Sequence, residues 1–427
     1  MAKVTDKRMF RTVEKATKEK VTVKIPGSKS VTHRAFIISA LAKGKSTILN
    51  PLDSEDTQIT AQALRDMGVS VPEISSKMLI EGCDGNVNAR RGEIFLKDSG
   101  TSMRFFAAVS NLGNGEFILT GSERLKERPI GHLVNALRVL GGDISCRDDR
   151  FPPVFVRAKG LKGGNIELDV SESSQYLSAI LLVLPYAEKE STIHLTSSLS
   201  SRPYVDITID MMKEFGAEVK WLDERTLAVN NFRRYVGKEY HVEGDCSSAA
   251  YFWAAAAILG IEVRTVNVNL GTRQGDIKFL DILEEMGCEV RRDTGGVTVI
   301  GSELKGVNVD MNLLPDQVPT LSVVAAFAEG ITTIRNVSHL RIKESDRLSA
   351  VANELTRTGI KVIEKEDGLV IHGGKPRGVK IDTYNDHRIA MSFAIMGLKV
   401  GGMKISNPLC VNKSFPDFWN LLECFYS

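Results

Sequence analysis

A helix-like run rich in Ala and Leu, then a Gly or charged turn, then a β-branched strand recurs six times along the 427 residues. The copies are LAKGKSTIL from Leu41, SNLGNGEFIL from Ser110, LPYAEKESTIHL from Leu184, AAILGIEV from Ala256, AAFAEGITTI from Ala325 and MGLKVGGMKI from Met396. The period is about 70 residues, long enough for a complete supersecondary unit. Between the copies lies a second signature, a helix-end glycine leading into a short hairpin: LRDMGVSV, LRVLGGDI, MKEFGAEV, LEEMGCEV and LTRTGIKV, anchored on Gly68, Gly141, Gly216, Gly287 and Gly359. Glycine in that place suits the left-handed residue that ends a helix. Each unit therefore reads strand, helix, strand, helix, hairpin, which predicts an α/β protein with right-handed crossovers. Six units cannot share one small core, so three and three in two similar domains is the expected architecture. A β-helix or open solenoid is the alternative, disfavoured by two amphipathic helices per unit.

Lys and Arg total 55 against 53 Asp and Glu, a net charge of +2, so the chain as a whole carries no field for nucleic acid or a membrane surface. Binding has to be read from local clusters. Six cysteines stand apart without a CxxC pair, and no cationic-then-apolar leader opens the sequence. Both fit a reducing cytoplasm. The longest apolar stretches, near Ala249 to Ile261 and Ser178 to Ala187, are too short for a bilayer.

The strand-to-helix turns gather the unusual residues. They read SKSVTHR (Ser28 to Arg34), DSGTSMR (Asp98 to Arg104), SESSQY (Ser171 to Tyr176), GDCSSA (Gly244 to Ala249), PDQVPT (Pro315 to Thr320) and NDHR (Asn385 to Arg388). Small polar residues there are what helix starts prefer, and Ser28 or Ser30 would cap the first helix. Arg34, Arg104 and Arg388, however, recur just inside such turns, where the helix dipole already presents positive charge. That pattern points to an anion held by backbone N–H groups and guanidiniums together. RIKESDR (Arg341 to Arg347), RLKERPIGH (Arg124 to His132) and VNKSFPDF (Val411 to Phe418) add further cations. Asp316 is either a helix cap or a general base beside Lys343, and Glu344 either a first-turn stabiliser or a proton donor. GKST at Gly44 to Thr47 lacks the first P-loop glycine, no GxGxxG occurs, and the seven histidines show no zinc spacing. No metal or other cofactor is expected.

In this order, PGSKSVTHR, DSGTSMR, LKERPIGHL, SSQY, SRPY, EGDCSSAAYF, PDQVPT, RIKESDR, YNDHRIAM and NKSFPDF resemble the EPSP synthase family, the 3-phosphoshikimate 1-carboxyvinyltransferases, over essentially the whole chain. The resemblance implies the enolpyruvyl-transferase fold, an inside-out α/β barrel type with two domains of three βαβαββ units. One domain would be 1–27 with 243–427 and the other 28–242, with the active site in the cleft between them. It implies transfer of the enolpyruvyl group of phosphoenolpyruvate to the 5-hydroxyl of shikimate 3-phosphate by addition and elimination through a tetrahedral ketal. By the family's pattern, Lys29, Ser30, Arg34, Ser173, Ser174, Gln175, Ser201, Tyr204, Asp316, His339 and Lys343 would hold shikimate 3-phosphate. Lys29, Gly100, Arg128, Gln175, Arg347, Arg388 and Lys413 would surround phosphoenolpyruvate, where glyphosate competes in the family. Asp316 would take the hydroxyl proton, Glu344 or Lys29 would protonate the methylene carbon, and His387 would orient them. A cytoplasmic monomer that closes on its anionic ligands is expected, with two small-molecule substrates and neither nucleic acid nor membrane as partner.

Three departures from the family's pattern stand out. Asp98 replaces a common Asn and adds negative charge near the phosphoenolpyruvate residues, Phe105 follows Arg104 where proline is frequent, and His339 replaces a common Asn and would make its contact pH-dependent. The related transferase acting on UDP-N-acetylglucosamine is the nearest rival, but its reactive cysteine has no counterpart in GSERLKE before Arg128. A catalytically inactive binding protein on the same scaffold is the other.

Overall fold

Every repeat of the sequence becomes one small sheet, and the computed structural model, which describes residues 10–88 and 92–426, contains six of them. Residues 1–9, where a leader was sought, lie outside the described residues. Four sheets have four strands. In one, Glu93–Phe95 runs parallel to Gly115–Thr120, which pairs antiparallel with Phe151–Ala158, itself antiparallel to Asp143–Arg147. Helices Gly100–Val109 and Gly131–Val139 make the crossovers. That is the expected strand, helix, strand, helix, hairpin order. The five helix-end glycines, Gly68, Gly141, Gly216, Gly287 and Gly359, all have positive φ, between +86° and +114°. A left-handed residue there lets the chain leave the helix and turn straight into the hairpin.

The chain divides into two units, Met1–Pro26 with Glu243–Ser427, and Gly27–Val242, with three sheets in each. Two units borrow strands across long stretches of sequence. Lys20–Lys24 pairs parallel with Glu262–Val266, setting Val21 beside Val263, and Phe10–Val13 pairs antiparallel with Met403–Ser406. In the contiguous unit Glu239–His241 joins Lys45–Leu49.

Helices, rather than sheets, occupy the middle of each unit. Cys246–Leu259 is buried from Cys246 through Ile258 and packs against Val318–Ala325 and His387–Val400. A helix apolar all round must be surrounded by protein. Trp253 is fully buried and its indole N–H donates to Thr265 Oγ1 at 2.8 Å, so its one polar atom is satisfied. In the contiguous unit Lys29–Leu41, Gly100–Val109 and Gln175–Val183 take the same place, with almost every position buried. Lys29, Gly100 and Gln175 begin the inner helices of the contiguous unit, and Asp316 and Arg388 lie at or just before the starts of Val318–Ala325 and His387–Val400. No helix among the described residues is long and apolar enough to cross a membrane.

Candidate functional site

In the unit Gly27–Val242, the strand-to-helix turn at Pro26–Gly27 passes so close to another strand end that a Cβ on Gly27 would lie 2.1 Å from the Asn50 carbonyl oxygen. The helix then starts at Lys29, with Ser28 as N-cap residue but without a side-chain capping bond. Lys29 Nζ lies 3.1 Å from Asp56 Oδ2, and both side chains are largely buried. Asp56 occupies the first turn of Glu55–Asp66, where a carboxylate also suits the dipole.

Arg34 and Arg104 do not project as free cations. The Arg34 guanidinium donates to Thr208 Oγ1 (2.7 Å), the Ser30 carbonyl (2.8 Å), the Tyr204 carbonyl (3.0 Å) and Ser178 Oγ (3.3 Å). Burial pulls its pKa down to about 10, since none of these acceptors carries a full charge. Arg104 donates to the carbonyls of Gly100 (3.2 Å) and Pro129 (2.7 Å). Both side chains tie inner helices together. Phe105 has a place in this arrangement, its ring centroid 5.2 Å below the Arg34 guanidinium.

Arg128 lies over the start of the helix Gly100–Val109. A Cβ on Gly100 would come within 2.5 Å of Arg128 Nη1, so any larger residue would push the guanidinium out of this place. Gln175 Nε2 donates to Thr101 Oγ1 at 2.9 Å and joins two helix starts. Ser173 Oγ accepts from the Gln175 N–H at 3.2 Å. Ser174 and Ser201 stand at the N-caps of their helices without side-chain capping bonds, Ser201 with φ of +55°. Tyr204 contributes its carbonyl to Arg34 and Thr208. Asp98, read as an added charge, accepts a short hydrogen bond from the Ser122 hydroxyl.

In the other unit, Arg347 is the hub. Its side chain is 2% exposed and donates to Asp316 Oδ1, Glu344 Oε2 and Asp386 Oδ2, each at 2.8 Å. Asp316 receives a second guanidinium, Arg388 Nη2, at 2.6 Å through Oδ2. Burial would raise the Asp316 pKa, but Arg388, Arg347 and Lys343 outweigh it and hold the carboxyl well below the usual range. Asp316 is therefore not the helix cap that the sequence allowed. Desolvation would lower the Arg347 pKa, yet Asp386, Glu344 and Asp316 carry it above its ordinary value. Asp316, Glu344 and Asp386 stand against Arg347, Arg388 and Lys343, and the buried Asp276 carboxyl lies close enough to Arg388 and Asp316 to interact with both.

Asp386 is fully buried, caps the helix His387–Val400 by accepting from the Arg388 N–H at 2.9 Å, and accepts from Ser345 Oγ at 3.0 Å. His387 is 1% exposed, its Nδ1 3.7 Å from Asp386 Oδ1. Lys413, also buried, ends the helical turn Pro408–Lys413. His339 corrects the pH-dependent reading. Burial, with Lys343 next, pushes its pKa down to about 3, so the imidazole stays neutral across the physiological range. Arg341 turns away from this cluster, to Asp346 at 3.0 Å and Glu364 at 2.7 Å.

Several site residues were not singled out in the sequence: Asp56, Thr101, Tyr251, whose hydroxyl accepts from Arg388 Nη1 at 3.4 Å, and Asp386. Thr101, Tyr251 and Asp386 lie inside the motifs DSGTSMR, EGDCSSAAYF and NDHR, and Asp386 also stands as an acidic residue directly before a helix start. Asp56, on the helix Glu55–Asp66, lies outside every quoted motif.

The family model described as EPSP synthase (3-phosphoshikimate 1-carboxyvinyltransferase) matches residues 13–422. A protein of that name from Syntrophobacter fumaroxidans is 45% identical over 97% of this chain and 99% of its own length. One from Methanoculleus marisnigri is 43% identical over 93% of this chain and 94% of its own length. Among solved structures, EPSP synthase from Acinetobacter baumannii superposes with a TM-score of 0.82 at 31% identity, covering 97% of both chains. The enolpyruvyl transferase NikO from Streptomyces tendae shares the fold, with a TM-score of 0.78 at 18% identity and 97% of each chain covered.

Proposed function

The chain belongs to the EPSP synthase family, and from that premise we propose that it transfers the enolpyruvyl group of phosphoenolpyruvate to the 5-hydroxyl of shikimate 3-phosphate, releasing phosphate, in the shikimate pathway. The observation that carries the residue-level reading is the Asp316 carboxylate held ionised between Arg347 and Arg388. A base must be ionised to accept a proton, and these cations secure that form.

In this scheme Asp316 takes the 5-hydroxyl proton while the hydroxyl oxygen forms a bond to the central carbon of phosphoenolpyruvate. The electron pair of its double bond takes a proton at the methylene carbon from Glu344 or Lys29, which gives the tetrahedral ketal. Elimination reverses the protonation, rebuilds the double bond and breaks the bond to the phosphate oxygen. The substrate's phosphate and carboxylate compete with Asp316 for the guanidiniums of Arg347 and Arg388. Each donor that moves from Asp316 to substrate removes part of what depresses its pKa, so binding makes the base stronger. Fixed cations also stabilise the charge that develops on departing phosphate.

Lys29, Gly100, Arg128, Gln175, Arg347, Arg388 and Lys413 are assigned to phosphoenolpyruvate, and glyphosate is taken to compete there. Ser30, Arg34, Ser173, Ser174, Ser201, Tyr204, His339 and Lys343 are assigned to shikimate 3-phosphate, together with Lys29, Gln175 and Asp316. For Ser174 and Ser201, support comes from hydroxyls at helix starts that make no capping bond. Arg34 supports its assignment less directly, by fixing Ser30 and Tyr204 through their carbonyls. His387 orients the cluster through Asp386. The enzyme works as a cytoplasmic monomer, and no step of the scheme draws on a metal or cofactor.

Phosphate release on mixing the enzyme with both substrates tests the reaction. The expected result is release only when both are present, with the vinyl ether product seen by proton NMR. Release from phosphoenolpyruvate alone at an equal rate would overturn the transfer reading.

A further inference from the structure

Residues 382–386 lead from the strand Lys380–Ile381 into the helix His387–Val400. The Asp386 N–H donates to the Thr383 carbonyl at 2.7 Å, and the two residues between them, Tyr384 and Asn385, have φ of +51° and +55°. Positive φ at both central positions is the type I′ pattern, which favours Gly, Asn and Asp. A tyrosine in the first of these positions is a strained choice that persists only where its surroundings impose it.

Two contacts impose it. Glu354, a buried carboxylate on the helix Arg347–Arg357, accepts from the Tyr384 hydroxyl and from the Asp382 N–H, each at 3.1 Å. From the other side Asn407, itself left-handed with φ of +40°, donates from Nδ2 to Asn385 Oδ1 at 2.8 Å. Ser406 Oγ adds a bond from the Thr383 N–H at 3.2 Å. Asn407 is the residue from which the turn Pro408–Lys413 starts. One strained loop thus delivers Asp386 and Arg388, another delivers Lys413, and the amides of Asn385 and Asn407 join them.

We propose that the Asn385–Asn407 pair is a positioning clasp, which fixes the Arg388 helix start against the Lys413 turn so that both cations meet one phosphoenolpyruvate. Neither asparagine touches the substrate. The proposal rests on the assignment of Arg388 and Lys413 to phosphoenolpyruvate made above.

Asn385→Gly and Asn407→Gly in the full-length enzyme remove the amide bond while glycine keeps the left-handed backbone. KM for phosphoenolpyruvate is expected to rise about tenfold in each, a loss of the order of one well-placed bond, with KM for shikimate 3-phosphate and the melting temperature nearly unchanged. The double variant should be no worse than either single one, because the same bond is lost. Lys413→Ala runs in parallel. If it raises KM for phosphoenolpyruvate while both glycine variants leave it unchanged, the clasp is refuted and the assignment stands. If Lys413→Ala has no such effect, the assignment fails and the clasp with it. Equal rises in both KM values with a lower melting temperature, or additive losses in the double variant, would also overturn it.

Discussion

Asp316 holds two guanidiniums through its two oxygens, an arrangement that protects its charge more firmly than catalysis alone would need. Asp316→Ala should still bind shikimate 3-phosphate by calorimetry, more weakly for the lost contact, while turnover falls about 10²- to 10⁴-fold, the usual range for a lost general base. Near-normal turnover would remove Asp316 from the mechanism. His339 gives a prediction of opposite character. Its folded pKa of about 3 lies below the ordinary 6.5, so between those values the unfolded chain binds the extra proton and stability falls as pH falls. Denaturant unfolding should show this residue withdrawing about 2 kcal/mol between pH 7 and pH 5. His339→Asn should flatten that slope and leave the pH profile for shikimate 3-phosphate unaltered, and an unchanged slope would contradict the burial argument. At this scale the sequence was legible where chemistry leaves a mark beside a helix start, as at Asp316, Glu344 and Arg388. Asp56 was not, because its partner Lys29 lies on a different helix and no local pattern announces the pair.

Helices do the positioning in both units, and their first residues decide what each can hold. The start of Gly100–Val109 lies directly under Arg128, with no room for a side chain. Gly100→Ala should displace the guanidinium and raise KM for phosphoenolpyruvate about tenfold or more, a cost of ~1.4 kcal/mol. KM for shikimate 3-phosphate should stay put, and parallel rises in the two would point to general distortion instead. The glycine-ended helices were the most readable elements, since a left-handed helix end needs a residue without a Cβ and the five glycines recur in step with the repeat. Less readable was the effect of Arg34 and Arg104. Their placement against the dipole suggested an anion between helix starts, whereas each guanidinium bonds to carbonyls near its own helix start and on a neighbouring segment.

Across the whole molecule, the two-fold grouping of repeats leaves one unit discontinuous. Its strand Lys20–Lys24 sits parallel to Glu262–Val266, with Val23 1% exposed, so this short segment is part of a core formed mainly by residues more than two hundred positions later. Val23→Asp would bury an unpaired charge and should lower the transition of that unit by ~3 kcal/mol or more, the scale of an unsatisfied buried polar group. Calorimetry should resolve that loss as a downward shift of one transition while that of Gly27–Val242 holds. Equal shifts would mean that the two unfold together. The alternation of strands and helices was legible from the repeats, but the identity of the borrowed strands was not, because pairing across such distances is set by tertiary packing rather than by any local pattern. The same topology orders events at the ribosome. Residues 27–242 can complete their sheets as soon as they emerge, but Phe10–Val13 has as its partner Met403–Ser406, made some four hundred residues after it. At about 5–20 residues per second Phe10–Val13 waits on the order of ten to thirty seconds after the contiguous unit is finished, an unmatched edge that chaperones have time to capture.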